Sequence, residues 1–234
     1  MSRSLFSHVT EEVYAGARDK TAYLFRQGFR LTHIHEYTSS EGKPSWWVLR
    51  MEGDQIEAGT GKRLKRILPM RRTEIGFELK QPAFQWGHPL YNQHLIANYP
   101  DDLVYLVEGE KCADRMVQLG SIATTWPFGA ASIEKVDFSL LAARRVVCWP
   151  DNDSSGIKAM ERAGVALRNQ GSLVVTLDVL ALELPPKGDV VDWLVQFIDS
   201  QGAQDFCAIP EGHALAWNAI RSLPVVQPQW ALVA

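Results

Sequence analysis

A chain of 234 residues, 46% hydrophobic and 22% charged, is long enough to bury one large core or two smaller ones, with the composition of an ordinary globular protein. No run approaches the ~18 consecutive apolar residues that a membrane span needs. Residues 1–14 lack an apolar signal core, and Cys112, Cys148 and Cys207 form neither a C-x-x-C pair nor a disulfide framework. The expected setting is a reducing cytoplasm, with no membrane partner. The net charge of −3 divides unevenly, with 14 Lys+Arg against 10 Asp+Glu in residues 1–100 and 10 against 17 in residues 101–234. A basic half beside an acidic half points to a polyanion partner and a carboxylate-rich site on one chain.

Residues 10–27 read as a helix, with Thr10 at its cap. Residues 29–37 and 45–51 alternate as strands, and the turn-forming Thr38-Ser-Ser-Glu-Gly-Lys-Pro44 between them predicts a β-hairpin. Residues 67–86, broken by Pro69 and Pro82, fit neither periodicity. Residues 98–102 read as a loop and a domain boundary. Beyond it, short apolar strands at 103–107, 122–126, 145–149 and 173–180 alternate with helices at 110–119, 155–169 and 190–200. That alternation predicts an α/β unit with a parallel sheet flanked by helices, preceded by a small basic α+β region. The buried face of the 155–169 helix is expected at Ile157, Met160, Ala163, Val165 and Leu167. A further helix is expected at 211–223, with fraying beyond Pro224. The domains are thus 1–100, 101–205 and a helical tail, 206–234.

In open parallel sheets, sites gather where strands deliver their carboxyl ends. Glu108 follows the first of these strands, Asp151 and Asp153 follow the third, and Asp189 and Asp192 lie between the fourth strand and the helix after it. Carboxylates crowded in this way repel one another unless a cation sits among them. An all-oxygen set suits Mg²⁺, with Mn²⁺ as a substitute, and such metals serve phosphoryl transfer. Gly109 and Gly156 let the backbone approach closely, and Ser154 or Ser155 is expected to cap the following helix.

In the basic half, residues 61–72 hold six cations, Lys62, Arg63, Lys65, Arg66, Arg71 and Arg72, a density suited to phosphate contact, or else a solvated loop. Trp46, Trp47, Trp86 and Tyr91 either stack on unpaired bases or belong to the core. His33 and His35 share one side of a strand, but nothing nearby completes a tetrahedral set, so no zinc is expected. Cys148 and Trp149 read as sheet core.

Leu106-Val-Glu-Gly-Glu-Lys-Cys-Ala-Asp114 and Trp149-Pro-Asp-Asn-Asp-Ser-Ser-Gly156 resemble the glutamate and D-x-D motifs of the Toprim family, shared by bacterial-type primases, type IA and II topoisomerases and some nucleases. Lys187-Gly-Asp-Val-Val-Asp-Trp-Leu194 resembles the K-x-D-x-x-D-W-L ending of phage and mobile-element primase-like proteins. The resemblance covers residues 103–200. It implies a Toprim-type α/β sheet, with Glu108 as general acid/base or metal-organising carboxylate. Asp151 and Asp153 would bind Mg²⁺, Asp189 and Asp192 would complete the acidic site, and Lys111 would face a substrate phosphate or solvent. The function implied is primer synthesis on single-stranded DNA from nucleotides, beside a replicative helicase. A Toprim nuclease, or a catalytically silent nucleic-acid-binding partner of a helicase, is the alternative.

Overall fold

The structure, a computed structural model, describes residues 8–58, 61–202 and 212–226. Two units divide the chain, one running to Trp86 and including Tyr91–His94, the other made of Gly87–Leu90 and the chain from Leu95 onward. The passage between them falls at residues 86–95, ahead of the 98–102 loop. Among the described residues no helix is long and apolar enough to cross a membrane.

The first unit opens on α1 (Glu11–Lys20), where Thr10 caps the helix by accepting from the Val13 N–H at 3.3 Å. Glu11 and Glu12 lie in its first turn and Arg18 and Lys20 in its last, each sign matched to the helix dipole. The single helix expected over 10–27 is in fact two. Thr21 leaves helical geometry and turns its hydroxyl back to donate to the Ala17 carbonyl, after which α2 (Ala22–Phe25) restarts. The hairpin forms as expected from β1 (Arg30–Thr38) and a longer β2 (Pro44–Ile56), paired antiparallel. The basic run is neither loop nor helix. It is β3 (Arg63–Thr73), the third strand of an antiparallel sheet that ends on β4 (Gly76–Glu78). Pro69 sits in the stretch of β3 that β4 does not reach, where a missing N–H is tolerated.

One face of this sheet buries Ile34, Trp47, Leu49, Met51 and Met70 with Val13, Ala17 and Leu24 of the helices. On the other, Tyr37 stacks on Trp46 at 4.1 Å and packs against Tyr91, while Phe84 tilts against Trp46. Trp46, Trp47 and Tyr91 are therefore core, whereas Trp86 is 80% exposed. His33 and His35 do share a side, their rings stacked at 5.4 Å, and His35 packs edge-on against Tyr91.

The second unit is mixed α/β around a four-stranded parallel sheet of β5 (Val104–Val107), β6 (Ile122–Thr124), β7 (Arg145–Trp149) and β8 (Leu173–Thr176), in the order β6-β5-β7-β8. After α3 (Gln93–Asn98), the helices are α4 (Glu110–Gln118), α5 (Ser154–Asn169), α6 (Val190–Ser200) and α7 (Gly212–Arg221). Leu106, Val146 and Cys148 of the central strands pack with Ala159, Met160, Ala163 and Leu167 of α5. Val165 is 55% exposed, contrary to expectation, because a helix that buries 160, 163 and 167 turns 165 to the opposite side. Trp217 of α7 donates its indole N–H to the Leu119 carbonyl and packs against Tyr105. Past Pro224 the chain does not simply fray: the Val226 N–H donates to the Thr176 carbonyl and Val225 pairs with Leu177. Cys207 and residues 227–234 lie outside the described residues.

Candidate active site

The order β6-β5-β7-β8 means that the crossover from β5 leads to one flank while β7 and β8 fill the other. The direction of winding reverses between β5 and β7, and such a switch point opens a crevice at the carboxyl ends of the two strands. Their register aligns Val107 with Trp149. Glu108 and the Pro150-Asp151 segment therefore leave the sheet side by side.

Side-chain geometry joins them. Glu108 Oε1 accepts the Asp151 N–H at 3.2 Å. Gly109, in the left-handed region at φ 82°, turns the chain from β5 into α4 and donates its N–H to the fully buried Thr125 Oγ1 at 2.9 Å, which ties this turn to the loop after β6. Asp153 Oδ1 accepts the Ser155 and Gly156 N–H groups, both at 2.8 Å. The cap of α5 is thus Asp153, not Ser154 or Ser155: an ionised acceptor is a stronger partner for the positive end of a helix than a hydroxyl. Gly156 comes so close to Glu108 Oε1 that no Cβ fits there, and the same atom would stand 3.1 Å from the Asp151 Cβ.

Asp189 and Asp192 form a capping box. Asp189 Oδ1 accepts the Val191 and Asp192 N–H groups at 2.8 and 3.1 Å, and Asp192 Oδ2 accepts the Asp189 N–H at 3.0 Å. The loop ahead of them is laced to the D-x-D loop, since the Asn152 N–H donates to the Gly188 carbonyl at 2.8 Å and the Lys187 N–H to the Asn152 carbonyl at 3.0 Å. Trp193, one residue past the box, packs edge-on against Trp149 at 5.6 Å, which seats the start of α6 on the end of β7.

The ionisation of buried groups reports the same convergence. Burial pushes the Glu108 carboxyl up, the Asp151 N–H opposes this, and the negative charge of Asp153 adds to it. The Cys112 thiol, fully buried in the first turn of α4, is raised well above its usual value by burial and then by Asp189 and Asp151. One thiol thus feels both acidic loops. Cys148 is pushed up to about 12 by burial and is inert sheet core.

Among the described residues no group of three or more His, Cys, Asp or Glu side chains is gathered tightly enough to hold a metal ion by itself. Mg²⁺ does not call for such a cage, because it usually keeps several waters and takes one or two carboxylates. The donors at this rim are all oxygens, and after burial the negative charge of Asp153 also raises the Glu108 carboxyl, a repulsion that a hard divalent ion placed there would relieve. The role of Asp189 as a cap can be separated from its charge. Asp189→Ala should lower stability by about 1 kcal/mol, and Asp189→Ser, which keeps a capping oxygen, should restore most of it in urea unfolding.

The basic run looks different in the fold. Arg63 pairs with Asp54 at 3.3 Å, Arg71 with Glu78, and Arg72 with Glu12 through two hydrogen bonds of 2.6 and 2.9 Å. The Arg66 guanidinium lies over the Phe29 ring at 5.5 Å. Lys65 is exposed and Lys62 and Lys111 are half-buried. Sequence reasoning passed over Asn152, Thr125 and Trp193, whose partners lie far away along the chain. Only the Trp in D-W-L carried a signal.

No protein-family model matches the chain, and no curated protein matches it. Among solved structures it is similar to the Aquifex aeolicus primase fragment comprising zinc-binding and RNA polymerase domains, at 16% identity and a TM-score of 0.51. The match covers 93% of this chain and 50% of that one, so the chain spans about half the length of the primase fragment whose fold it shares. The primase fragment of the bacteriophage T7 primase-helicase protein matches at 17% identity, with a TM-score of 0.39, over 66% of this chain and 63% of that one.

Proposed function

We propose that the chain is a Toprim primase-like nucleotidyltransferase that joins nucleotides on a single-stranded DNA template. The observation that carries this reading is the meeting of Glu108, the Asp151–Asp153 loop and the Asp189 cap at one switch point of a parallel sheet. The fold shared with a primase fragment and the three sequence motifs support it. Asp151 and Asp153, with Glu108 and Asp189 behind them, would hold Mg²⁺ or Mn²⁺. A bound divalent ion would neutralise charge on the phosphates and make an attacking hydroxyl more acidic.

The chain's own groups then have defined tasks. The 3′-hydroxyl oxygen attacks the α-phosphorus of the incoming nucleotide, the P–O bond to pyrophosphate breaks, and the hydroxyl proton passes to the Glu108 carboxylate. Burial raises its proton affinity above that of an ordinary glutamate, the direction that suits a group accepting a proton. The Asp151 N–H, donating to Glu108 Oε1, fixes the direction of that carboxylate. The likeness of Lys187–Leu194 to the ending of mobile-element primases makes a replicative helicase the expected partner.

The test is extension of labelled nucleotides on single-stranded DNA with Mg²⁺ or Mn²⁺, against Asp151→Ala plus Asp153→Ala. Template-dependent products from the native chain only are expected. Shortened DNA without added nucleotides would assign the same site to hydrolysis, and binding by both forms with turnover by neither would leave a nucleic-acid-binding protein. In the basic unit, Lys65→Ala should make the salt dependence of single-strand binding shallower, by about 0.7 in the slope of log K against log salt. Titrations at several salt concentrations measure this, and an unchanged slope takes Lys65 off the template path.

A further inference from the structure

We infer that Asn152, the middle residue of the D-x-D motif, is the positioning residue that sets Asp189 against Asp151 and Asp153. The inference rests on the acidic-site reading above. Asn152 spends both its backbone and its side chain on the segment that leads into α6. Its N–H donates to the Gly188 carbonyl at 2.8 Å and its carbonyl accepts the Lys187 N–H at 3.0 Å. Its side-chain Nδ2 donates to the Leu184 carbonyl at 2.8 Å and to the Pro185 carbonyl at 3.3 Å. Both side-chain partners are carbonyl oxygens, so only the amide NH₂ can face them, and this orientation needs no choice between flips.

The segment so held is tightly wound. Lys187 takes a left-handed φ of 58°, the Gly188 N–H closes back on the Pro185 carbonyl at 2.8 Å, and a Cβ on Gly188 would stand 2.8 Å from Leu184 Cβ and from that same carbonyl. Asp189 follows directly, with its side chain committed to the cap of α6. On either side of Asn152, the Asp151 N–H donates to Glu108 and Asp153 caps α5. Asn152 therefore couples the two acidic loops without itself offering a carboxylate.

Amide exchange in the full-length protein, followed by mass spectrometry, tests the clamp. Binding of Mn²⁺ alone, followed by its paramagnetic resonance signal, tests what the clamp does for the site. Asn152→Ala removes the side-chain donors. Asn152→Asp keeps the size but turns an oxygen toward two carbonyl oxygens, so a packing role would survive it and a donor role would not. Both variants should still unfold cooperatively and should exchange the Lys187 amide at least about tenfold faster, as expected when a local opening becomes easier. Asn152→Ala should also weaken Mn²⁺ binding by about 10-fold, the low end for loss of a group that orients metal ligands. Native protection of Lys187 in both variants would overturn the clamp. Faster exchange with native Mn²⁺ affinity, when Asp151→Ala plus Asp153→Ala has lost that affinity, would overturn the positioning role. If the double aspartate variant binds Mn²⁺ as the native chain does, the acidic-site reading is what fails, and exchange at Lys187 alone then decides the clamp.

Discussion

Glu108→Gln should lower nucleotidyl transfer by about 10²–10⁴-fold, the usual loss for a general acid–base group, without weakening the fold. Glutamine matches the size of glutamate, and its amide oxygen can still accept the Asp151 N–H that Glu108 Oε1 accepts at 3.2 Å. What disappears is a half-buried negative charge beside Asp153. Because burial raises the folded-state pKa of Glu108, the folded protein holds that proton more tightly than the unfolded chain does. The stabilisation this gives is complete in acid, below the ordinary glutamate value, and is lost as pH rises through the raised one. In metal-free buffer the Gln variant should therefore match the native protein in acid and become the more stable of the two toward neutrality. Denaturant midpoints across that range measure this. The native rate should climb on an acid limb as the Glu108 carboxylate forms, and the residual rate of the variant should lack that limb. Native turnover in Glu108→Gln would remove this residue from the chemistry.

Gly156→Ala should damage both stability and activity, against the usual trend for helices. In an exposed helix, alanine in place of glycine gains about 1 kcal/mol. Here the new Cβ collides with Glu108 Oε1 and meets Asp151 Cβ and its carbonyl oxygen at 3.1 Å. The backbone has little freedom to retreat, since the Gly156 N–H is held by Asp153 Oδ1 at 2.8 Å. Overpacking of this sort costs about 1–3 kcal/mol, so the net change should be destabilising. Displacing Glu108 by even about 1 Å should cost roughly 10²-fold in rate. Gly164→Ala in the same helix is the control, because the atoms nearest to its Cβ would be the end of the flexible Arg168 side chain, at 3.3 Å. That variant should be neutral or stabilised. Equal behaviour of the two alanines in thermal melts would show that the Gly156–Glu108 approach has no energetic weight.

The amino-acid sequence by itself determined what depends on near neighbours along the chain. Apolar runs marked β5 and β7 and so put Glu108 and Asp151 at strand ends. Thr10 announced the first helix, and the run from Val190 to Ser200 announced α6 to the residue. Periodicity and capping act over one or two helical turns, so a reader of residue order can see them.

Only the tertiary structure decided matters that couple distant segments. Sheet order made the gap between β5 and β7 the switch point. Cross-strand register matched Arg63 to Asp54 and Arg71 to Glu78, and the seating of α1 on the sheet matched Arg72 to Glu12, which residue counting could not foresee. Asn152 found its partners more than thirty residues away, at Leu184 and Pro185. Such pairings depend on which backbones come to lie side by side, and the free energy that brings them together is spread over the whole buried core rather than written at either end of the bond.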